Sequence, residues 1–383
     1  MAAGPAGKAV GSEHISPAQW TYATCCFLMG TILRSGFINS LLDNESWMTA
    51  LTGAVVFLPF MAIYLSLVKR YPGKSMFEIA DAALGKVGGT IANLMLCVFY
   101  TMLAMVNLME VGAFVTGYLI QGTLFLSVTL AAALTAAYIL IKGVGALSRM
   151  IPTITVLAGI TLLTNWVQAI PAMDFAKLLP MFNKPLGSYV HATLFAVAVP
   201  FCESMTMFAL LPMVGANKYG EIKKSAVKVF VFTFVVMVLV HLRETATLGS
   251  LLIYTAIPTY EVMRMIDTGS TFARTESVFA IQLMMLSLIK VTIILYALTR
   301  CLSHVTGIEH GGSDGPGHKA IALPVCVFVA VYAATFRDTA FNNIEWFVNV
   351  APIVWLAFEA GIPAVILAAA ALRGRSRGKA AAV

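Results

Sequence analysis

Apolar stretches of 18 or more residues recur along almost the whole chain, and this recurrence is the strongest constraint on its fold. Each stretch is long enough to cross about 30 Å of hydrocarbon as an α-helix. A soluble core could account for one or two such stretches, but not for ten. The composition agrees, since 59% of the 383 residues are hydrophobic and only 11% are charged, against about a quarter charged in soluble domains. The sequence therefore predicts an all-α integral membrane protein.

The apolar pattern predicts about ten transmembrane helices in a single domain covering residues 17–371. The predicted spans are roughly 17–42, 46–68, 87–119, 124–141, 146–169, 189–214, 226–250, 276–301, 319–336 and 345–371. Residues 1–16 are a predicted N-terminal tail, and 372–383 a basic C-terminal tail. We expect no cleavable signal peptide, because residues 1–15 are polar and mixed in charge.

The placement of Lys and Arg predicts the orientation of the spans. With the N-terminus inside, the inner loops and tails hold 17 of the 25 Lys and Arg, and the outer loops hold five. Positive residues concentrate on the cytoplasmic side of membrane proteins, so we expect both termini to be cytoplasmic. The net charge of +7 then reflects topology and a basic tail near anionic lipid. It does not indicate nucleic-acid binding.

Two connectors carry structure of their own. Ser75 to Glu78 has the pattern of a capping box, and apolar residues follow at helical spacing. This pattern predicts a short amphipathic helix on the inner membrane surface. The long outer connector 251–275 contains residues 260–266, for which a short helix and a plain loop are both compatible with the sequence.

Polar and helix-breaking residues are concentrated in spans one and six. In span one, Gly30 and Gly36 bracket three polar residues, Thr31, Arg34 and Ser35. In span six, Pro200 lacks a backbone donor and is expected to open the helix just before Glu203. Irregular backbone at membrane depth is tolerated only where it faces protein or a water-filled cavity.

The two interruptions lie five spans apart, so they occupy corresponding positions in two halves of opposite topology. This spacing predicts a five-plus-five inverted repeat with broken helices one and six, comprising residues 17–169 and 189–371. Such breaks mark the central binding site of secondary transporters. Half-helix N-termini favour an anion and free carbonyl ends favour a cation. An amino acid carries both charges.

Six charged residues fall well inside the predicted spans: Arg34, Glu110, Glu203, Glu244, Lys290 and Glu359. Each costs about 2.5–3.5 kcal/mol at the bilayer centre, so we expect them to face the bundle interior. Glu203 and Lys290 are both near mid-span. Lys290 could occupy a cation position or exchange protons, or the two could form a static ion pair.

Other polar groups have more than one interpretation. Glu110 and Glu359 could belong to the same charge network or act only as hydrogen-bonding groups between helices. Arg34 could pair with a ligand carboxylate or with one of these glutamates. We expect His241 and Arg243, towards the outer end of span seven, to lie at the membrane interface.

Enzyme chemistry finds little support in the sequence. There is no P-loop, no G-x-S-x-G and no H-E-x-x-H motif, and we predict neither an enzyme nor a cofactor. All six cysteines fall in apolar segments without metal-ligand spacing, so we expect neither a disulfide framework nor a metal site.

Several segments, read together and in order, resemble the B-subunit (GerAB) family of endospore germinant receptors. They are ISPAQW and GTIL near span one, LVKRYPGKSMFEIADAALGKVGG after span two, and NLMEVGAF in span three. VPFCES in span six, SLIKVTIILYALTRCLSHVTG in span eight and AFEAGIPAVIL in span ten complete the set. That family resembles a branch of the amino acid–polyamine–organocation permeases, with ten helices in a five-plus-five inverted repeat.

The resemblance implies a protein that senses a small germinant, often an amino acid, in the spore inner membrane or the bacterial cell membrane. It implies two partners, a larger membrane-anchored subunit and a lipoprotein subunit. It also implies a central pocket at the breaks of spans one and six, with Lys290 opposite. In this sequence the implied ligand-binding residues are Gly30, Thr31, Ser35, Gly36, Pro200, Phe201 and Glu203.

Three functions therefore remain open at the level of sequence. The first is a germinant-binding receptor subunit that signals without transport. The second is a secondary transporter that couples amino acid uptake to protons through Glu203 and Lys290. The third is a membrane scaffold with a vestigial pocket.

Overall fold

The computed structural model of the protein describes residues 14–33, 36–266, 275–308, 317–340 and 348–380. In these ranges the chain is helical and contains no strand. We number the ten long helical segments α1 to α10: Pro17–Ile32, Met48–Arg70, Met76–Phe114, Phe125–Lys142, Val144–Ala169, Leu186–Ala196, Tyr219–Leu248, Thr275–Thr306, Gly317–Ala340 and Ala351–Leu356. The last is continued by a π-helical turn, Ala357–Gly361, and by a further helix, Ile362–Ala380, which we include in α10.

Within the described residues, nine helices are long and apolar enough to cross a membrane. They correspond to α2 to α10. The α1 helix has 16 residues and stops at Ile32, within the predicted first span. The all-α integral membrane fold and its spans thus follow the hydropathy of the sequence. The final helix continues to Ala380, beyond the predicted end of the last span.

Contacts between helices repeat after a shift of five. The α1 helix packs on α5, and the irregular segment after α6 packs on α10. The α3–α9 contact corresponds in the same way to the α8–α4 contact. The α3–α8 and α4–α9 pairs map onto themselves, and they are the two most extensive helix contacts. This pattern is that of two five-helix units packed about a common centre.

The predicted capping box begins the third long helix. The Ser75 hydroxyl accepts from the Glu78 backbone N–H, and the Glu78 carboxylate accepts from the Ser75 backbone N–H at 2.8 Å. The helix bends sharply at Gly85, where φ is 80° and ψ is 176°. Its first turns therefore form the predicted short amphipathic helix, with Phe77 and Ile79 among its buried residues.

Replacing Gly85 with alanine is expected to destabilise the protein by about 1–3 kcal/mol, because this backbone conformation is essentially restricted to glycine. An added methyl group would also meet the Arg373 guanidinium at 3.0 Å. The midpoint of thermal unfolding in detergent measures the effect. Gly159→Ala is the control, since a methyl group there meets nothing within 4 Å. An equal change of the unfolding midpoint in Gly85→Ala and Gly159→Ala would contradict this explanation of the bend.

The first and sixth spans are both irregular, in different ways. Helix α1 gives way to a 3₁₀ turn, Gly36–Ile38, beyond two residues outside the described ranges. The sixth span does not unwind. At Pro200 it changes into a π-helical turn, Val197–Phe201, and then into a 3₁₀ helix, Cys202–Leu210. The expected opening at Pro200 is thus a change of helix type, which displaces the backbone hydrogen bonds that a proline cannot make.

The region 251–275 contains a short helix, Pro258–Met265. Of the two possibilities that the sequence left open, the helix is therefore the one observed. Its Tyr260 ring packs against the rings of Phe114 and Tyr118, with centroid distances of 5.4 and 5.2 Å. These contacts hold the short helix against the end of the third span.

Candidate functional site

Three buried polar side chains from different spans meet at the centre of the bundle. The Lys290 ammonium lies 2.8 Å from a Glu203 carboxylate oxygen. The Thr31 hydroxyl donates to the same oxygen at 2.6 Å and accepts from the Lys290 ammonium at 2.7 Å. We call Thr31, Glu203 and Lys290 the central triad. The structure therefore brings together three of the residues singled out in the sequence.

The local backbone explains how the central triad is positioned. Thr31 lies in the last turn of α1, where the helix is about to end. Glu203 is the second residue of the 3₁₀ helix that follows the Pro200 turn. The Ser204 hydroxyl donates to the Phe201 carbonyl at 2.7 Å, which satisfies one acceptor of that turn. The side chains that contact Lys290 thus lie where the first span stops being α-helical and where the sixth span changes from a π-helical to a 3₁₀ turn.

The pair at the centre is almost completely removed from solvent. The Lys290 and Glu203 side chains are 2% and 3% exposed. The ammonium also lies 5.2 Å from the centre of the Phe27 ring, a cation–π arrangement. The protein therefore supplies the Lys290 ammonium with a countercharge and with hydrogen-bond acceptors. Removal of either partner would leave an uncompensated buried charge.

The Glu359 carboxylate, unlike the Lys290 ammonium, has no hydrogen-bond partner. Glu359 lies in the π-helical turn of α10, is 0% exposed, and neither of its carboxylate oxygens has a hydrogen-bond partner. Its backbone carbonyl, by contrast, accepts from the Tyr64 hydroxyl at 2.7 Å. The carboxylate interacts electrostatically with Glu203 and Lys290, so it belongs to the same central region. It offers two acceptor oxygens that the protein leaves unused.

The other predicted residues lie at different distances from this centre. Glu110, on α3, is half-buried and interacts electrostatically with Glu203. Pro200 is buried in the π-helical turn, and the Phe201 ring stacks on Phe57 with a centroid distance of 5.3 Å. Gly36 lies elsewhere, since a methyl group there would meet the Ala256 carbonyl and the Pro258 ring at 2.8 Å. Arg34 and Ser35 lie outside the described residues.

Two residues at the centre had not been singled out in the sequence. Tyr64 binds the Glu359 carbonyl and is 3.4 Å from the Cys202 carbonyl, so it joins the second, sixth and tenth spans. Phe27 faces the Lys290 ammonium. A tyrosine within an otherwise apolar span was the available signal for Tyr64. Phe27 had none, because nothing distinguishes it from other phenylalanines.

A small cavity of about 60 Å³ lies between α1, α2, α7 and the irregular part of the sixth span. Its wall includes Leu28, Tyr64, Phe201, Ser204 and Phe230. The lining is mostly apolar and includes the hydroxyl-bearing residues Tyr64 and Ser204. Tyr64 lines the cavity and also donates to the Glu359 carbonyl. The cavity therefore adjoins the central region on the side of the second span.

Two further groups are placed differently from the sequence prediction. His241 and Arg243 were expected at the membrane interface, and this prediction is wrong, since both side chains are 0% exposed. The remaining charged residue of that span, Glu244, is also buried. Among the described residues, no group of three or more His, Cys, Asp or Glu could hold a metal ion. None of the six cysteines forms a disulfide, and all six are buried.

The close approach of α1 and α8 at the central triad requires a small residue at position 30, which is Gly30. A methyl group there would meet the Leu286 carbonyl at 3.5 Å and the Lys290 side chain at 3.6 Å, which are ordinary contacts. We expect Gly30→Ala to be tolerated. Gly30→Leu should push the helices apart, separate Thr31 from Lys290, and cost about 1–3 kcal/mol through overpacking.

Thermal unfolding of the purified variants, with and without an amino acid mixture, measures this effect. The control is Gly117→Leu, because a side chain at Gly117 would enter open space. Full stability and an unchanged ligand response in Gly30→Leu would contradict the tight α1–α8 contact.

Comparison with known proteins places this geometry in context. A family model described as spore germination protein, of the spore permease type, matches residues 14–341. Spore germination protein A2 of Bacillus subtilis (strain 168) is 23% identical over 175 residues, which cover 46% of this chain. The match spans 48% of that protein, about half its length.

A solved structure of a Na⁺-coupled sialic acid symporter, in a substrate-bound outward-open state, shares the fold. Its TM-score is 0.58 at 10% sequence identity, with 91% of this chain and 76% of that chain covered. At this identity the similarity concerns the fold alone. The family match covers most of the chain and includes every member of the central triad. The chain therefore belongs to the spore germination protein family of permease-type membrane proteins.

Proposed function

We propose that this protein is the membrane subunit of a spore germinant receptor, and that it binds a small germinant such as an amino acid in a central permease-like pocket. The observation that carries the proposal is the central triad beside Glu359. Three irregular or interrupted spans and α8 contribute polar groups to one buried region. A purely structural bundle has no need for such a concentration, because each buried charge opposes insertion and folding.

The chemistry of the region favours a ligand with an ammonium group. Glu203 is already neutralised by Lys290 and bonded to Thr31. Glu359 retains two unused acceptors, and an ammonium group would supply both the charge and the donors that it lacks. The ligand class that fits is therefore a small amino compound, of which amino acids are the leading example.

Signalling would follow from a shift between two arrangements of the bundle. A ligand that binds one arrangement more tightly increases its population, and only this difference in affinity can drive the change. The π-helical and 3₁₀ turns at residues 197–210 and 357–361 are suited to this role, because such turns rearrange their hydrogen bonds more readily than an α-helix.

The proposed setting follows from the same family relationship. We place the chain in the spore inner membrane or the bacterial cell membrane, with both termini cytoplasmic. The proposed partners are a larger membrane-anchored subunit and a lipoprotein subunit. We further propose that residues 17–169 and 189–371 are the two repeats of the domain, flanked by tails 1–16 and 372–383.

A proton-coupled amino acid transporter is the second candidate. The fold is shared with a symporter, and the buried Glu203–Lys290 pair contains two groups that can exchange protons. Under this alternative the central triad would change its protonation during each transport cycle. The receptor proposal requires ligand binding without net movement of the ligand.

Liposome counterflow separates the two functions. The purified protein is reconstituted, loaded with an amino acid pool, and exposed to the same amino acids in labelled form. Wild type is compared with Glu203→Gln and with Glu221→Gln, a control at an exposed carboxylate. The receptor proposal expects no counterflow, together with ligand-induced thermal stabilisation in wild type and Glu221→Gln that Glu203→Gln lacks.

Counterflow in wild type that disappears in Glu203→Gln would establish the transporter instead. Absence of both flux and stabilisation by any amino acid would contradict both candidates. That result would leave a membrane scaffold with a vestigial pocket.

A further inference from the structure

The last two turns of α7 form a second buried polar cluster, separate from the central triad. His241, Arg243, Glu244, Thr245 and Thr247 are all buried there, with at most 4% of any of them exposed. The first two of these were expected at the membrane interface. Their burial needs a physical explanation, because an arginine is always charged in proteins and burying a charge is costly unless it is paired and hydrogen-bonded.

Several polar atoms of this cluster have no hydrogen-bond partner. The Arg243 nitrogens Nε, Nη1 and Nη2 have no hydrogen-bond partner, and neither has either ring nitrogen of His241. The hydroxyls of Thr245 and Thr247 are also unpartnered. A guanidinium group presents five N–H donors, so the deficit is largest at Arg243.

Glu244 does not remove this deficit. Its carboxylate oxygen Oε1 lies 3.8 Å from Arg243 Nη2, and Oε2 lies 3.7 Å from His241 Nδ1. Both distances exceed hydrogen-bond length. The carboxylate is instead bonded to the Thr259 hydroxyl on the short helix Pro258–Met265. Glu244 therefore offsets charge but supplies no acceptor to the guanidinium.

We propose that Arg243 and His241 form a binding site for a carboxylate anion at the C-terminal end of α7. A carboxylate has two oxygens in the planar arrangement that matches two adjacent guanidinium N–H groups, and its remaining lone pairs can accept from His241 or Thr245. The site takes a small carboxylate as a free ion or as part of a larger metabolite. It is independent of the proposed germinant pocket, and the two proposals stand or fall separately.

The short helix Pro258–Met265 closes this site in the present structure. Thr259 bonds to Glu244, and Tyr260 packs on the aromatic rings of the third span. Entry of an anion therefore requires the short helix to move away from α7. The short helix packs on α5, α7 and α8, so such a movement breaks these contacts but leaves the span itself folded.

The test uses sodium acetate as the probe and thermal unfolding of the full-length protein in detergent as the readout. Acetate replaces chloride at constant ionic strength. A ligand that binds only the folded state raises its stability with concentration. We expect acetate to raise the Tm of wild type by about 2 °C or more at saturation. Arg243→Gln should abolish this shift, and His241→Gln should move it to higher acetate concentrations.

Three further variants make the result decisive. Arg149→Gln, at an exposed arginine of α5, should behave as wild type. If Arg243→Gln does not fold, Arg243→Lys keeps the charge but loses the planar two-point contact, and should need about tenfold more acetate. Glu203→Gln should retain the full acetate effect, because the site is separate from the central triad.

Three outcomes would overturn the proposal. If wild type does not respond to acetate, the buried donors do not bind a carboxylate. If Arg243→Gln responds as wild type does, acetate binds outside this cluster. If the response disappears in Glu203→Gln but persists in Arg243→Gln, acetate binds at the central triad and not at α7. Each result leaves the germinant proposal to be judged by its own experiment.

Discussion

Replacing Lys290 with methionine is expected to destabilise the protein by about 3–5 kcal/mol, which is the typical cost of breaking a buried ion pair from one side. The Lys290 and Glu203 side chains are 2% and 3% exposed and 2.8 Å apart. Without the ammonium, the carboxylate would retain Thr31 as a donor but would lose its countercharge. We therefore expect most of the loss to come from Glu203.

The double variant Glu203→Gln, Lys290→Met tests this origin directly. It removes the charge that the single change leaves uncompensated, so it should be clearly more stable than Lys290→Met alone. The midpoint of thermal unfolding in detergent is the measurement for all variants. A double variant that loses the sum of the two single losses would show that the pair is not the dominant interaction of either residue.

The chain offers a matched control for this cycle. Lys218 and Glu221 also form an ion pair, at 2.9 Å, but their side chains are 46% and 52% exposed. Exposed pairs contribute about 0–1 kcal/mol. Lys218→Met should therefore leave the unfolding midpoint almost unchanged. Lys290→Met and Lys218→Met each remove a lysine from an ion pair of nearly the same length. The difference between their effects on stability therefore reports the contribution of burial.

Replacing Glu359 with methionine is expected to stabilise the protein by about 1–3 kcal/mol, in contrast to the loss of stability expected for Lys290→Met. The side chain is fully buried, and neither carboxylate oxygen has a hydrogen-bond partner. Removing a buried unsatisfied polar group recovers its desolvation penalty, and methionine has a similar length and shape. The Tyr64 bond to the Glu359 backbone carbonyl would remain.

The same variant should lose its response to the ligand, because the proposed ammonium acceptor is gone. A gain in stability with a loss of function is the usual relationship at a functional site. Unfolding midpoints measured with and without an amino acid mixture report both effects. Glu221→Met is the control and should change stability by less than about 0.5 kcal/mol. A marked loss of stability in Glu359→Met would mean that the carboxylate is structurally bound.

Much of the fold could be predicted because hydropathy is local in sequence. Runs of apolar residues locate nine of the ten predicted spans as helices long enough to cross a membrane among the described residues, and the capping box at Ser75 sets a helix start. The irregular sixth span was signalled by Pro200, but its form was not. Whether a proline leads to an unwound loop, a kink or a π-helical turn depends on which neighbours satisfy the freed carbonyls.

The candidate site was predictable in its residues but not in its arrangement. Glu203, Lys290 and Glu359 could be picked out because charged residues are rare in membrane spans. Thr31 and Lys290 are 259 positions apart, and Thr31 and Glu203 are 172 apart. Contacts at such separations depend on how each helix is rotated about its axis and packed, which the apolar content of a span does not encode.

The end of the seventh span shows most clearly where prediction from the sequence fails. Arg243 and His241 lie near the end of an apolar run, where sequence reasoning places such residues at the membrane interface. The short helix Pro258–Met265 and neighbouring spans cover them completely. The sequence by itself determined that this is a multi-span membrane protein with a few costly internal charges. Only the tertiary structure decided which charges are paired, which stay without partners, and which are buried, because helix packing fixes the neighbours of each side chain.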